Sequence, residues 1–127
     1  MTNYWSVPRN PQDLLPLKDL VFRILVVLVD GERHGWGLVQ ELDEPGHSGR
    51  LLPGHLYRTL DRMLEDGLIE EQDRSSAIRK SPRAVGAAPS RFFRLTAFGR
   101  EVARAETRRL ETLIHKVRAG KLLRGRR

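Results

Sequence analysis

The 127-residue sequence predicts a mostly α-helical fold with one small β-hairpin and a long helix at its C-terminal end. Three observations predict it. Apolar residues recur with helical spacing over Leu17–Leu28, Leu56–Leu64 and Val102–Val117. Only two short stretches, Leu68–Gln72 and Arg91–Leu95, read as strands, and they are expected to pair as a hairpin. The segment between them, residues 73–90, is rich in Ser, Ala, Gly, Pro and Arg, too long for a tight turn and too polar for a core.

Taken in order, residues 1–16 carry Pro8, Pro11 and Pro16 without periodicity and predict an extended arm, in which Trp5 is conspicuous. The domain proper is expected over residues 17–95. Leu17, Leu20, Val21, Ile24, Leu25 and Leu28 line one helical face, while Phe22, Val26 and Val29 make the other side apolar too. A helix apolar on both sides needs two covers, its own core and a second surface such as a partner subunit. Asp30-Gly31 stops it. A second short helix is expected over about Trp36–Leu42, then a turn-rich connector over residues 44–49, with Gly35, Gly37, Gly46 and Gly49 read as turn residues. The third helix opens at Pro53, where a missing N–H costs nothing, and runs to Asp66 with Leu56, Leu60, Met63 and Leu64 inward. Gly67 suits the left-handed position past its end, with Leu68 placed to pack back on Met63.

Thr96 is a capping residue for the last helix, expected over residues 96–120 and ending at Gly120. Its apolar seam includes Ala103, Glu106, Leu110, Leu113 and Val117, spaced 3, 4, 3 and 4 as in a pair of helices, with Glu106 standing as a defect. Nothing else in the chain offers an obvious cover for so long a seam. Dimerisation is therefore assigned to Phe22, Val26, Val102, Leu110, Leu113, Ile114 and Val117. Residues 121–127 form a basic tail, read as a frayed, solvated end.

The net charge is +7, but its placement matters more than its sum. Residues 1–99 hold 13 Lys/Arg against 13 Asp/Glu and residues 100–127 hold 10 against 3, so the whole excess lies in the last helix and tail. Inside the neutral part, Arg74, Arg79, Lys80, Arg83, Arg91 and Arg94 follow one another with no acidic residue between Asp73 and Glu101. Such a stripe favours a polyanionic partner, against the plain alternative of a solvated loop. There is no cysteine, and His34, His47, His55 and His115 fall in four different segments at no ligand spacing. No nucleophile-and-base pattern or phosphate-cradling glycine loop is present, so the expectation is a non-enzyme without metal or cofactor. No apolar run nears the roughly 20 residues of a membrane span. The start lacks the n- and h-regions of a secretion signal, so the expected compartment is the cytoplasm.

Two helices joined by a turn, with a basic hairpin beside the second, form a winged helix-turn-helix. One helix can enter a major groove while the hairpin reaches phosphates or a minor groove. The outward residues of the third helix are His55, Arg58, Thr59, Asp61 and Arg62. Arg58 and Arg62 lie one turn apart and are suited to guanine edges or phosphates, or alternatively to surface pairs with Asp61, Glu65 or Asp66. For Tyr57 the expectation is a packed ring with its hydroxyl pointing out.

These residues resemble the PadR-like transcriptional regulators. The resemblance is carried by His34-Gly35-Trp36-Gly37-Leu38, by Leu52-Pro53-Gly54-His55-Leu56-Tyr57-Arg58, by Leu64-Glu65-Asp66-Gly67-Leu68-Ile69 and by Phe93-Arg94-Leu95-Thr96 with Gly99, in that order over about residues 17–118. It implies a homodimer that binds a pseudo-palindromic double-stranded DNA operator and that commonly acts as a repressor released by a small-molecule inducer. Carried over, Pro53, Gly54, His55, Tyr57, Arg58, Thr59 and Arg62 belong to the DNA-facing helix, and Arg74, Arg79, Lys80, Arg83 and Arg91 to the wing. Leu52 stands where the family usually has a capping Ser, His55 where Thr is common and Trp36 where Tyr is usual. Some relatives hold a flat aromatic ligand between tryptophans of the last helix; this last helix has none. The competing expectation is a winged-helix interaction adaptor without operator specificity.

Overall fold

The apolar repeat that begins at Leu17 forms α1, Asp19–Val29, in a computed structural model that describes residues 10–43, 51–72 and 91–123. α1 buries Ile24, Leu25 and Leu28 and ends at Gly31, whose φ of 148° lies in the region that glycine favours. Arg33–His34 follow as a two-residue strand, β1, and Gly35–Leu42 as α2. The His34 Nδ1 accepts the Gly37 N–H at 3.0 Å, so this imidazole does the capping that a Ser or Asp more often does. Gly35 and Gly37 thus belong to the first turn of α2 and are not turn residues of a loop. The whole connector, with Gly46 and Gly49, lies outside the described residues.

α3, Pro53–Glu65, starts on Leu52 without a side-chain cap and with Pro53 in its first turn. Leu56, Leu60 and Met63 point inward. Its end is a Schellman motif: Leu68 N–H donates to Met63 O at 3.0 Å and Gly67 N–H to Leu64 O at 3.1 Å, with Gly67 at φ 78°. β2, Ile69–Gln72, and β3, Phe92–Leu95, pair antiparallel in the expected hairpin, Ile69 opposite Leu95 and Gln72 opposite Phe92. The sheet has a third strand that hydrophobic patterning did not reveal, because β1 is only two residues long. It pairs with β3, Arg33 opposite Phe93, giving the order β1-β3-β2.

Thr96 caps the last helix, α4 (Ala97–Ala119), by accepting the Gly99 N–H at 2.9 Å. The same hydroxyl lies 2.6 Å from the Gly67 carbonyl oxygen, and the Thr96 N–H donates to Leu68 O at 3.2 Å, so the root of α4 is clasped to the turn that ends α3. The core fills the space between α1, α2, α3, the sheet and this root, with Phe93, Ile24, Leu38, Leu56 and Val102 fully enclosed.

Three expectations are corrected by the packing of α4. Val102 is completely buried in the chain's own core and faces no partner. The N-terminal half of the seam is covered by α1 and by a 3₁₀ turn, Pro11–Leu14, which packs on α4 and brings Leu14 and Leu15 against the core. Residues 10–16 are therefore part of the domain and not an extended arm; residues 1–9, with Trp5, lie outside the described residues. Glu106 is no defect. It is 2% exposed and its carboxylate accepts the Leu17 N–H at 3.0 Å and two N–H groups of Arg109 at 2.6 and 3.0 Å. Beyond it the seam is uncovered: Leu113 and Ile114 are exposed and Leu110 and Val117 half-buried, beside exposed Val26 and half-buried Phe22 of α1.

Candidate nucleic-acid interface

α3 turns one side into the core and presents His55, Arg58, Asp61 and Arg62 to solvent, with Pro53 and Gly54 exposed at its N-terminal end. Thr59, half-buried, spends its hydroxyl on the His55 carbonyl at 2.9 Å. Arg62 keeps a loose pair with Asp66 at 3.6 Å and remains 75% exposed. Among the described residues Arg58 forms no ion pair, and a Cβ added at Gly54 would stand 3.5 Å from its Nη1. Both arginines are available at one helix face. The stripe residues Arg74, Arg79, Lys80 and Arg83 lie outside the described residues.

The stripe is not free of acids in space. Arg91 donates from Nε to Glu71 at 2.8 Å and from Nη2 to Glu71 at 3.0 Å and Asp61 at 2.9 Å, and Arg94 pairs with Glu70 at 2.8 Å. The Glu71 bond, followed by that to Asp61, holds the Arg91 guanidinium well above its ordinary pKa, against the opposing cost of its burial. Arg91 is thus already paired with two carboxylates, and these pairs compete with the phosphate contact expected of it from the sequence. Sequence order hides this, since the partners precede it by 20 and 30 residues.

Tyr57 also differs from expectation. Its ring is half-buried as foreseen, but the hydroxyl lies against the backbone of Gly35: a Cβ there would stand 2.0 Å from the Tyr57 oxygen and 2.5 Å from Cζ. The His34-Gly35 pair therefore has two jobs, one residue capping α2 and the next letting α3 approach. Gly35→Ala is expected to cost about 2 kcal/mol by overpacking. Thermal melts should show most of that penalty disappear on a Tyr57→Ala background; an equal penalty on both backgrounds would place the strain elsewhere.

The chain's similarities agree with this architecture. A family model described as the transcriptional regulator PadR-like family matches residues 24–105. The chain is 36% identical over 97 residues to the transcriptional regulator Rv3488 of Mycobacterium tuberculosis, covering 76% of this chain and 80% of that protein. Among solved structures, a PadR family transcriptional regulator from Eggerthella lenta aligns with TM-score 0.62 and 24% identity over 91% of this chain and 87% of that one. The PadR-like regulator BC4206 from Bacillus cereus aligns with TM-score 0.63 and 23% identity over 84% and 93%. At those identities the structures speak for the fold, a winged helix with a small three-stranded sheet. With the family model spanning most of the domain and the mycobacterial regulator matching over four-fifths of its length, the chain belongs to the PadR-like family of transcriptional regulators.

Proposed function

We propose that the chain binds double-stranded DNA as a homodimer, each subunit laying α3 in a major groove, with its wing on the flanking backbone. The observation that carries this is the α3 face itself, where among the described residues Arg58 has no competing carboxylate and Arg62 is only loosely held. The dimer is supported by the apolar residues left uncovered on α4 and α1, Leu113, Ile114 and Val26 being 48%, 47% and 50% exposed. A two-fold dimer calls for a pseudo-palindromic operator with half-sites about one helical turn apart. The family resemblance supports repression relieved by a small-molecule inducer, acting in the cytoplasm. Among the described residues no helix is long and apolar enough to cross a membrane.

The test is selection of bound duplexes from a random-sequence pool, followed by titration of the selected duplex at several salt concentrations. Arg58→Ala should weaken binding by about tenfold and lower the slope of log affinity against log salt by roughly 1 if the side chain meets a phosphate. An Arg79→Ala, Lys80→Ala pair should weaken binding across sequences. Wild-type affinity in all these variants would sink the assignment, and failure of the wild-type chain to bind any duplex at any salt would favour the interaction adaptor.

A further inference from the structure

Arg91 sits where four elements of the winged domain meet. Its carbonyl accepts the Gly35 N–H at the head of α2 at 2.9 Å, extending the β1–β3 ladder by one rung. Its side chain forks onto Glu71 of β2, reaches Asp61 of α3, and stacks its guanidinium 5.6 Å from the centre of the Tyr57 ring and 5.2 Å from that of Phe93. The side chain is only 31% exposed, so the pairs are partly sheltered from water. Asp61, by contrast, is 57% exposed and stands on the same helix between Arg58 and Arg62. A carboxylate at that position opposes the approach of any phosphate backbone unless a cation is held on it.

We propose that Arg91 is a positioning residue for DNA binding: it ties the wing strands to α3 and screens Asp61, and it does not itself contact phosphate. The inference rests on the DNA-binding reading above. Lysine can replace the arginine only in part, because the site uses a planar fork on Glu71, a third donor on Asp61 and two ring faces. A phosphate ligand and a screening tie predict different responses. Removing a ligand lowers the number of counterions released, while removing a tie leaves that number unchanged and exposes the acid.

The experiment uses the full chain and the duplex that the wild-type protein selects from a random pool, with affinity measured by anisotropy across a salt series. Arg91→Ala should weaken binding about tenfold and Arg91→Lys about threefold, both with the wild-type salt slope. Asp61→Asn should recover about threefold on the Arg91→Ala background and change the wild type by less than about twofold. If Arg91→Ala does not fold, Arg91→Lys with and without Asp61→Asn carries the same comparison. A salt slope reduced by roughly 1 without coupling to Asp61 would make Arg91 a phosphate ligand and overturn the proposal, as would unchanged affinity in both Arg91 variants. A wild-type chain that binds no duplex overturns the DNA-binding reading itself, which keeps the two failures apart.

Discussion

Gly99→Ala is expected to lower the melting temperature by about 12 °C or more, the largest effect of a single added methyl group at any described glycine. An added Cβ would stand 2.0 Å from the Leu68 carbonyl oxygen and 2.9 Å from the carbonyl carbon, and both atoms are backbone. That oxygen accepts the Thr96 N–H, and Leu68 is itself fixed by its bond to Met63 O, so it cannot retreat without opening the turn that ends α3. The alternative is to lift α4 off the sheet, which uncovers Val102 and Ala103. Overpacking against rigid atoms lies near the top of the usual range, about 3 kcal/mol, and each kcal/mol moves the midpoint of a domain this size by roughly 4 °C or more. Thermal unfolding followed by circular dichroism measures it. A midpoint within 2 °C of wild type, on the order of 0.5 kcal/mol, would mean that α4 does not approach Leu68 so closely.

Glu106→Leu is expected to cost about 2–3 kcal/mol, chiefly because the Leu17 N–H loses its acceptor inside the fold. Glu106→Gln keeps an oxygen for that N–H and should cost about 1 kcal/mol. The two differ further in pH dependence. The Arg109 guanidinium holds the Glu106 carboxyl below its ordinary value of about 4.5, the Leu17 N–H adding to the effect and burial opposing it. A carboxyl whose folded value is depressed gives stability that is fully present above its unfolded value and is lost as pH falls through the folded one. The gap between wild type and Glu106→Gln should therefore hold steady at neutral pH and shrink below about pH 4.5. Melting temperatures taken from pH 7 to pH 3 test this, and a gap that stays constant to the acid end would contradict it.

Helix order, the hairpin and both ends of α3 were legible in the sequence because their signals are local. Gly67, Leu68 and Met63 act within one turn, and Thr96 caps a helix that begins at the next residue. What escaped notice is held together over distance. Glu106 looked like a flaw in a dimer seam because its partner, Leu17, lies 89 residues earlier, and no periodicity reports such a pairing. The same reasoning sent Val102 to the wrong surface, since an apolar position does not say which of two covers it meets. β1 is too short to alternate. At the candidate interface the exposed residues of α3 could be read from helical phase alone, whereas the carboxylate partners of Arg91 and the seat of the Tyr57 hydroxyl needed three-dimensional placement. Arg58 is exposed as its helical phase implies, and among the described residues nothing folds over it.

α4 runs unbroken for 23 residues, about 34 Å, from the clasp at Thr96 to its uncovered far half. In the proposed dimer such a rod is a lever. One end is pinned by Thr96 to Gly67 and Leu68, just behind the last turn of α3, and the other would lie at the two-fold axis. A tilt of 10° at the axis would then move the pinned end by about 6 Å, more than the roughly 3.4 Å between neighbouring base pairs. If the proposed dimer is controlled by an inducer, that ligand would not have to touch α3 to dislodge it; a small change of angle where the two rods cross would put the half-sites out of reach of each other.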